Sequence, residues 1–189
     1  MSDVDDGVRA RTFVAVDLED PASTALAEAV RPFRARHPGL RWSPSEQWHV
    51  TLVFVGSVGA DDAAKVDAVV RDRAARAGAM DLRLDGTVGS FGGRVLWAGV
   101  REDQRLRALA RVLHEALTAE GFSLDSREFV PHCTLTRAPR GAWLPADLTH
   151  ELATPEAGWH TAQVKVYRSR LRIGGAHHEV RSAHDLSGG

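Results

Sequence analysis

The segment WHVTL at residues 48–52 returns as PHCTL at residues 131–135, and each copy sets a threonine two positions after a histidine with a leucine right behind it. The two histidines, His49 and His132, stand 83 residues apart (132 minus 49). Sliding the chain on itself by that offset without a gap also sets Ala15 on Ala98, Glu19 on Glu102, Asp20 on Asp103, residues 25–27 (ALA) on residues 108–110 (ALA), and Ser43 on Ser126. Residues 13–52 and 96–135 then share 10 identities, where composition alone supplies on the order of three or four. The repeated unit reads as strand, helix, strand, with the H-x-T-L tetrad on its last strand. Two such units related by a pseudo-two-fold bring equivalent strands side by side, and their histidines then face each other across a cleft.

Hydrophobic periodicity places the elements around that repeat. RTFVAVDL (11–18) is short, apolar and β-branched, which predicts a strand, and PASTALAEAVRPFRARH (21–37) carries Leu26, Val30 and Phe33 near helical spacing. WHVTLVFVG (48–56) reads as a buried strand ended by glycine, and residues 60–77 as a helix with Val66, Val69, Val70 and Ala74 on one stripe. Strands are expected at 80–86 and 94–100 with GSFGG as the turn between them. From Glu102 to Glu120, Leu106, Leu109, Leu113 and Leu117 draw the clearest amphipathic helix, with Gly121 as its C-cap. Residues 138–160 hold three prolines and little periodicity, so a loop with at most a short helix is expected there. Residues 163–171 and 178–186, parted by a glycine pair, form a closing hairpin.

Composition narrows the function classes. A length of 189 residues fits one domain, or two half-sized lobes sharing an interface. A net charge of -1 leaves no basic field to hold a long nucleic acid by its phosphates, so contact with nucleic acid must be local. The one cysteine, Cys133, admits no internal disulfide and no CxxC motif, in keeping with a reducing compartment. No run approaches the roughly 18 apolar residues of a membrane span, and the acidic MSDVDDGVRA start has no apolar segment, so the expectation is a cytoplasmic chain with no membrane partner.

Side chains alternate along a strand, so His49 and Thr51 share one face while Val50 and Leu52 take the other, and His132 and Thr134 are set against Cys133 and Leu135 in the same way. The assembled site offers two groups that exchange protons near neutral pH and two neutral hydrogen-bond donors. In-line cleavage of a phosphodiester needs a base for the nucleophile, an acid for the leaving oxygen and donors on the non-bridging oxygens. The repeat supplies each in a pair. Cys133 reads as a small buried hydrophobe, since its neighbour His132 faces the other way. His160, His177, His178 and His184 have no acid or cysteine spacing that marks a metal site, and no metal or other cofactor is expected. Phe91 in GSFGGR is a candidate for stacking on a base, with Arg94 beside it; Arg168 and Arg170 read as solvated charges.

On the two tetrads, the early FVAVDL strand, RVLWAGV, PHCTLTR and the late VYRSRL, the chain resembles the two-histidine phosphoesterase superfamily over nearly its whole length, and within it the RNA 2',3'-cyclic phosphodiesterases of the bacterial 2'-5' RNA ligase family. The resemblance implies an α+β fold of two pseudo-symmetric lobes, each an antiparallel sheet with outer helices, and a cleft between them. It implies His49 as proton donor, His132 as proton acceptor, and Thr51, Thr134 and Arg137 as phosphate-binding residues. The implied partners are RNA 3' ends or nucleotides carrying a 2',3'-cyclic phosphate, opened without metal to a 2'-phosphate by a monomeric enzyme. Trp48 and Cys133 stand where aliphatic residues are usual. Two alternatives remain at this point: a non-catalytic binding module for nucleotides or RNA ends on the same scaffold, and an enzyme acting mainly in 2'-5' ligation.

Overall fold

A computed structural model describes residues 9–172 and 175–188. In chain order the elements are β1 (Ala10–Asp17), α1 (Ala22–Arg36), β2 (Arg41–Trp42), β3 (His49–Val58), α2 (Ala60–Ala74), β4 (Met80–Phe91), β5 (Val95–Val100), α3 (Gln104–Ala119), β6 (His132–Arg137), α4 (Asp147–His150), β7 (Gly158–Thr161), β8 (Gln163–Arg172) and β9 (Gly175–Asp185). The fold is α+β: an antiparallel sheet in the order β7-β4-β5-β6-β3-β1-β8-β9, with β2 paired to β6, and helices laid on the sheet's apolar side.

The repeat is written into that order. The 83-residue offset carries β1 onto β5, α1 onto α3, β3 onto β6 and β4 onto β8. Reading outward from the centre gives β6, β5, β4, β7 one way and β3, β1, β8, β9 the other, so equivalent strands sit at equivalent distances from the middle. Each half of the sequence lends a strand to the other: β4 pairs with β5, and β8 pairs with β1. At the centre, β3 and β6 share the single register pair Val50↔Cys133.

Alternation along these strands separates the core from the opposite face. Val14, Val16, Val50, Leu52, Leu96, Ala98, Cys133 and Leu135 are buried beneath the helices, while Phe13, Ala15 and Tyr167 form a separate small cluster on the other side. In α3 the stripe Leu106, Leu109, Leu113 and Leu117 is 0–2 % exposed, as its periodicity requires. Each of those leucines contributes on the order of 1.5–3 kcal/mol by leaving water. Asp103 caps the helix by accepting from the main-chain N–H of Arg105 at 2.8 Å and of Leu106 at 3.0 Å. At the other end Gly121 takes φ +92°, and the Phe122 N–H returns to the Leu117 carbonyl at 3.1 Å.

Two features depart from the periodicity reading. The strand expected at 80–86 runs on to Phe91, and the turn is made by Gly92 and Gly93 at φ +53° and +62°. The segment 138–160 holds the short α4, but its end begins β7, in which Trp159 and Thr161 are buried and His160 exposed. Four residues are too few for an alternation signal to stand out. The β8–β9 hairpin pairs from Gln163↔Asp185 to Arg172↔Gly175, and its tip, residues 173 and 174, lies outside the described residues. Among the described residues no helix is long and apolar enough to cross a membrane.

Candidate active site

Both tetrads reach the non-core face at the middle of the sheet. The Val50↔Cys133 pair is antiparallel, and its register continued by one residue sets His49 opposite Thr134 and Thr51 opposite His132. The two tetrads therefore lie side by side at the centre of the sheet. Neither threonine hydroxyl has a hydrogen-bond partner among the described residues, so both are available to an incoming oxygen.

The two rings are held by the same device. His49 Nδ1 lies 2.7 Å from the Gln47 carbonyl oxygen, and His132 Nδ1 lies 2.7 Å from that of Val130. A carbonyl only accepts, so Nδ1 carries the hydrogen in both rings and Nε2 is left to exchange protons with whatever binds on this face of the sheet. The Gln47 side chain is itself fixed: its amide lies 3.0 Å from His177 Nδ1, and its oxygen accepts from the His178 N–H at 3.3 Å.

The rings stand in unlike surroundings. His49 stacks on Phe13 at 4.9 Å between centroids, Phe13 stacks on Tyr167 at 5.0 Å, and His178 meets both Phe13 and His49 edge-on at 5.0 and 5.4 Å. Beneath them Asp17 accepts from Lys165 Nζ at 2.5 Å and from the Tyr167 hydroxyl. On the other side Phe91 meets His132 edge-on at 4.9 Å and tilts against Trp97 at 5.4 Å. The Trp97 ring covers Gly89 so closely that a Cβ there would come within 2.1 Å of it, which is why a residue without a side chain stands at that point of β4.

Electrostatics follow from this packing. Burial is the largest influence on both histidines and holds each below the usual imidazole value; the Gln47 and Val130 carbonyls oppose it. His49 is also pushed down by the positive charges of His132 and Arg137 and pulled up by Asp17, whereas His132 is pushed down by Arg137. His178 is driven to about 4, first by burial and then by the charges of His49 and Arg137. Burial pushes the Cys133 thiol up to about 12.

The structure thus brings together His49, His132, Thr51 and Thr134, sets Arg137 at the end of β6 where both histidines feel its charge, and packs Phe91, 41 % exposed, against His132. Arg94 is turned away to the Pro139 carbonyl at 3.3 Å and the Trp143 ring at 5.9 Å. Arg170 pairs with Glu179 at 3.3 Å. Of the other histidines, His160 lies on Asp81 at 2.8 Å, His184 on Asp67 at 3.0 Å, and His177 on Gln47. Among the described residues no group of three or more His, Cys, Asp or Glu is placed to hold a metal ion. Periodicity singles out neither Asp17, Lys165 and Tyr167 nor Phe13, Trp97 and His178. Their only signal is weak: Asp17 is a charge ending an apolar strand, and Tyr167 is the chain's one tyrosine.

A duplicated strand-helix-strand unit with paired histidines at the centre of one antiparallel sheet defines a class of proteins, and comparison with known sequences says which. The family model described as the 2'-5' RNA ligase superfamily matches residues 19–172, and the chain belongs to that superfamily. It is 30 % identical over 168 residues to an RNA 2',3'-cyclic phosphodiesterase of Geobacillus stearothermophilus, covering 86 % of this chain and 53 % of that protein. The chain thus spans about half of that relative's length. A relative of the same name from Thermotoga maritima is 28 % identical over 186 residues, covering 95 % of this chain and 97 % of its own. The crystal structure of E. coli LigT complexed with 3'-AMP shares the fold at a TM-score of 0.75 and 24 % identity, covering 95 % of this chain and 99 % of that one.

Proposed function

We propose that this chain is an RNA 2',3'-cyclic phosphodiesterase that opens the cyclic phosphate of RNA 3' ends and nucleotides to a 2'-phosphate by general acid–base catalysis, without a metal ion. The observation that carries the mechanism is the matched pair of imidazoles, each with Nδ1 committed to a carbonyl at 2.7 Å and Nε2 without a partner among the described residues. The relatives' shared name supports the substrate class. The unit that acts is the single bilobal chain with its internal repeat, working as a cytoplasmic monomer.

In the proposed step His132 Nε2 takes a proton from water as the water oxygen forms a bond to phosphorus. The bond from phosphorus to the 3' oxygen breaks, and that oxygen takes the proton of His49 Nε2. The pair ends with its protonation exchanged and resets through solvent. Thr51 and Thr134 donate to the non-bridging oxygens, Arg137 offsets their charge, and Phe91 stacks on the base.

The test is regiochemical. An RNA oligonucleotide ending in a 2',3'-cyclic phosphate, incubated with the chain in EDTA, is expected to yield a terminal 2'-phosphate and a free 3'-hydroxyl. A predominant 3'-phosphate would reverse the two histidine roles, and an unaltered cyclic end would remove the activity itself.

A further inference from the structure

The repeat makes the two histidines alike, so the difference between acid and base must come from what the repeat does not copy. Asp17 ends β1 and is the register partner of His49. Directly opposed residues of an antiparallel pair project to the same side with Cβ atoms about 5 Å apart. The Asp17 side chain is 23 % exposed. It is fixed by Lys165 Nζ at 2.5 Å and by the Tyr167 hydroxyl, while Trp159 Nε1 donates to its main-chain oxygen at 2.9 Å.

The second copy has no acid at the equivalent register position. The residue 83 positions on from Asp17 is Val100, buried and apolar, and the register partner of His132 is Gly99, which has no side chain. The acid in that region, Asp85, packs over Gly99 and is turned to its own strand, accepting from the Thr87 N–H at 2.9 Å and the Thr87 hydroxyl at 2.6 Å. Around His49 the other ionisable groups are Lys165 and Tyr167 on β8, His178 on β9, and His132 and Arg137 on β6, while Arg11 on β1 and His177 on β9 act on His178. Asp17 is the one among them whose charge favours an imidazolium at His49; at His132 the charge that acts is the opposing one of Arg137.

We propose that Asp17 is the positioning residue that makes His49 the proton donor and leaves His132 the acceptor. This rests on the phosphodiesterase reading, and it adds the group that breaks the symmetry of the pair. Its carboxylate is held by Lys165 and Tyr167, and it acts through the proton on His49.

The experiment is a pH titration of both imidazoles by NMR in the full chain, with signals assigned from His49→Gln and His132→Gln, in the wild type and in Asp17→Asn, Lys165→Met and Asp85→Asn. In Asp17→Asn the protonated fraction of His49 at a given alkaline pH is expected to fall roughly tenfold, and that of His132 by less than about threefold, as for loss of one partly screened opposite charge nearby. Lys165→Met removes the cation that offsets Asp17 and is expected to move His49 the other way, which loosened packing would not do. It also carries the test if Asp17→Asn fails to fold. Turnover on a 2',3'-cyclic nucleotide should lose its alkaline limb at lower pH in Asp17→Asn. Equal shifts of both histidines in Asp17→Asn, no shift of His49, or an Asp85→Asn effect on His132 as large as that of Asp17→Asn on His49 would each overturn the inference. The titration needs no substrate, so a chain that opened no cyclic phosphate yet showed these shifts would overturn the proposed function alone.

Discussion

Cys133 adjoins His132 in sequence and is the chain's one thiol, so its replacement asks whether strand geometry or proximity decides what takes part in chemistry. Its side chain is 0 % exposed, on the core side of β6 opposite Val50, while His132 projects to the other face. With the thiol pushed up to about 12 by burial, the thiolate fraction at pH 7 is on the order of 10⁻⁵, far too small for a nucleophile or a base. Cys133→Ala removes one buried atom and should cost about 1 kcal/mol of stability, comparable to a small core truncation. Cys133→Ser puts a hydroxyl into the same apolar setting and should cost about 1–3 kcal/mol. At roughly 2 to 4 °C per kcal/mol for a domain of this size, the serine variant melts several degrees below the wild type and below the alanine variant. Thermal melts with turnover on adenosine 2',3'-cyclic phosphate at 25 °C measure both effects. The expected pattern is ordered melting temperatures with turnover within about twofold of wild type, since no charge or donor facing the cleft has changed. A Cys133→Ala chain that melts as the wild type but turns over a hundredfold more slowly would refute the facing argument, and with it the assignment of His132 to the non-core face.

Three further outcomes follow from the site. Thr51→Val or Thr134→Val should raise the barrier by about 1–3 kcal/mol, the worth of one neutral donor to developing charge; unchanged kinetics in both would return the threonines to ordinary strand residues. Turnover should follow a bell-shaped pH profile with both limbs displaced to the acid side, because burial lowers both histidines; a flat profile in single-turnover measurements would contradict the pair. His178, held near 4, favours the neutral ring in the fold. Its stabilisation is thus present above the unfolded value of about 6.5 and lost as pH falls through 4. Allowing for solvent screening of a partly exposed ring, His178→Phe should remove about 1–2 kcal/mol of the difference in unfolding free energy between pH 7 and pH 4; urea titrations showing the same difference in both proteins would rule this out.

Much of this was legible in the sequence because it depends on local periods. The α3 leucines recur at helical spacing and Gly121 stops them, and the period of two puts His49 with Thr51 and His132 with Thr134 before any tertiary contact is known. The internal repeat adds one long-range fact, that β3 and β6 are equivalent, and from it the pairing of the histidines. What stayed hidden depends on register. Asp17 meets Lys165 and Tyr167 across 148 and 150 residues, and no pattern in either strand says that β8 crosses to pair with β1. The Gly89 and Trp97 contact is of the same kind: the glycine reads as part of a turn until the ring across it is seen. Four-residue β7 is fixed by pairing with β4 more than by its own sequence.

The claim at the centre is that His49 and His132 act as one acid–base unit on one phosphate. Its most direct test compares turnover of a 2',3'-cyclic phosphate RNA, in EDTA, by the wild type, His49→Ala, His132→Ala and the double variant, with circular dichroism to verify the fold of each. Each single variant should lose on the order of 10²-fold to 10⁴-fold, and the double variant should lose little more than the worse single, because a unit without either member is already broken. A single variant retaining near wild-type turnover, or losses that multiply in the double variant, would mean that the two histidines do not share one reaction.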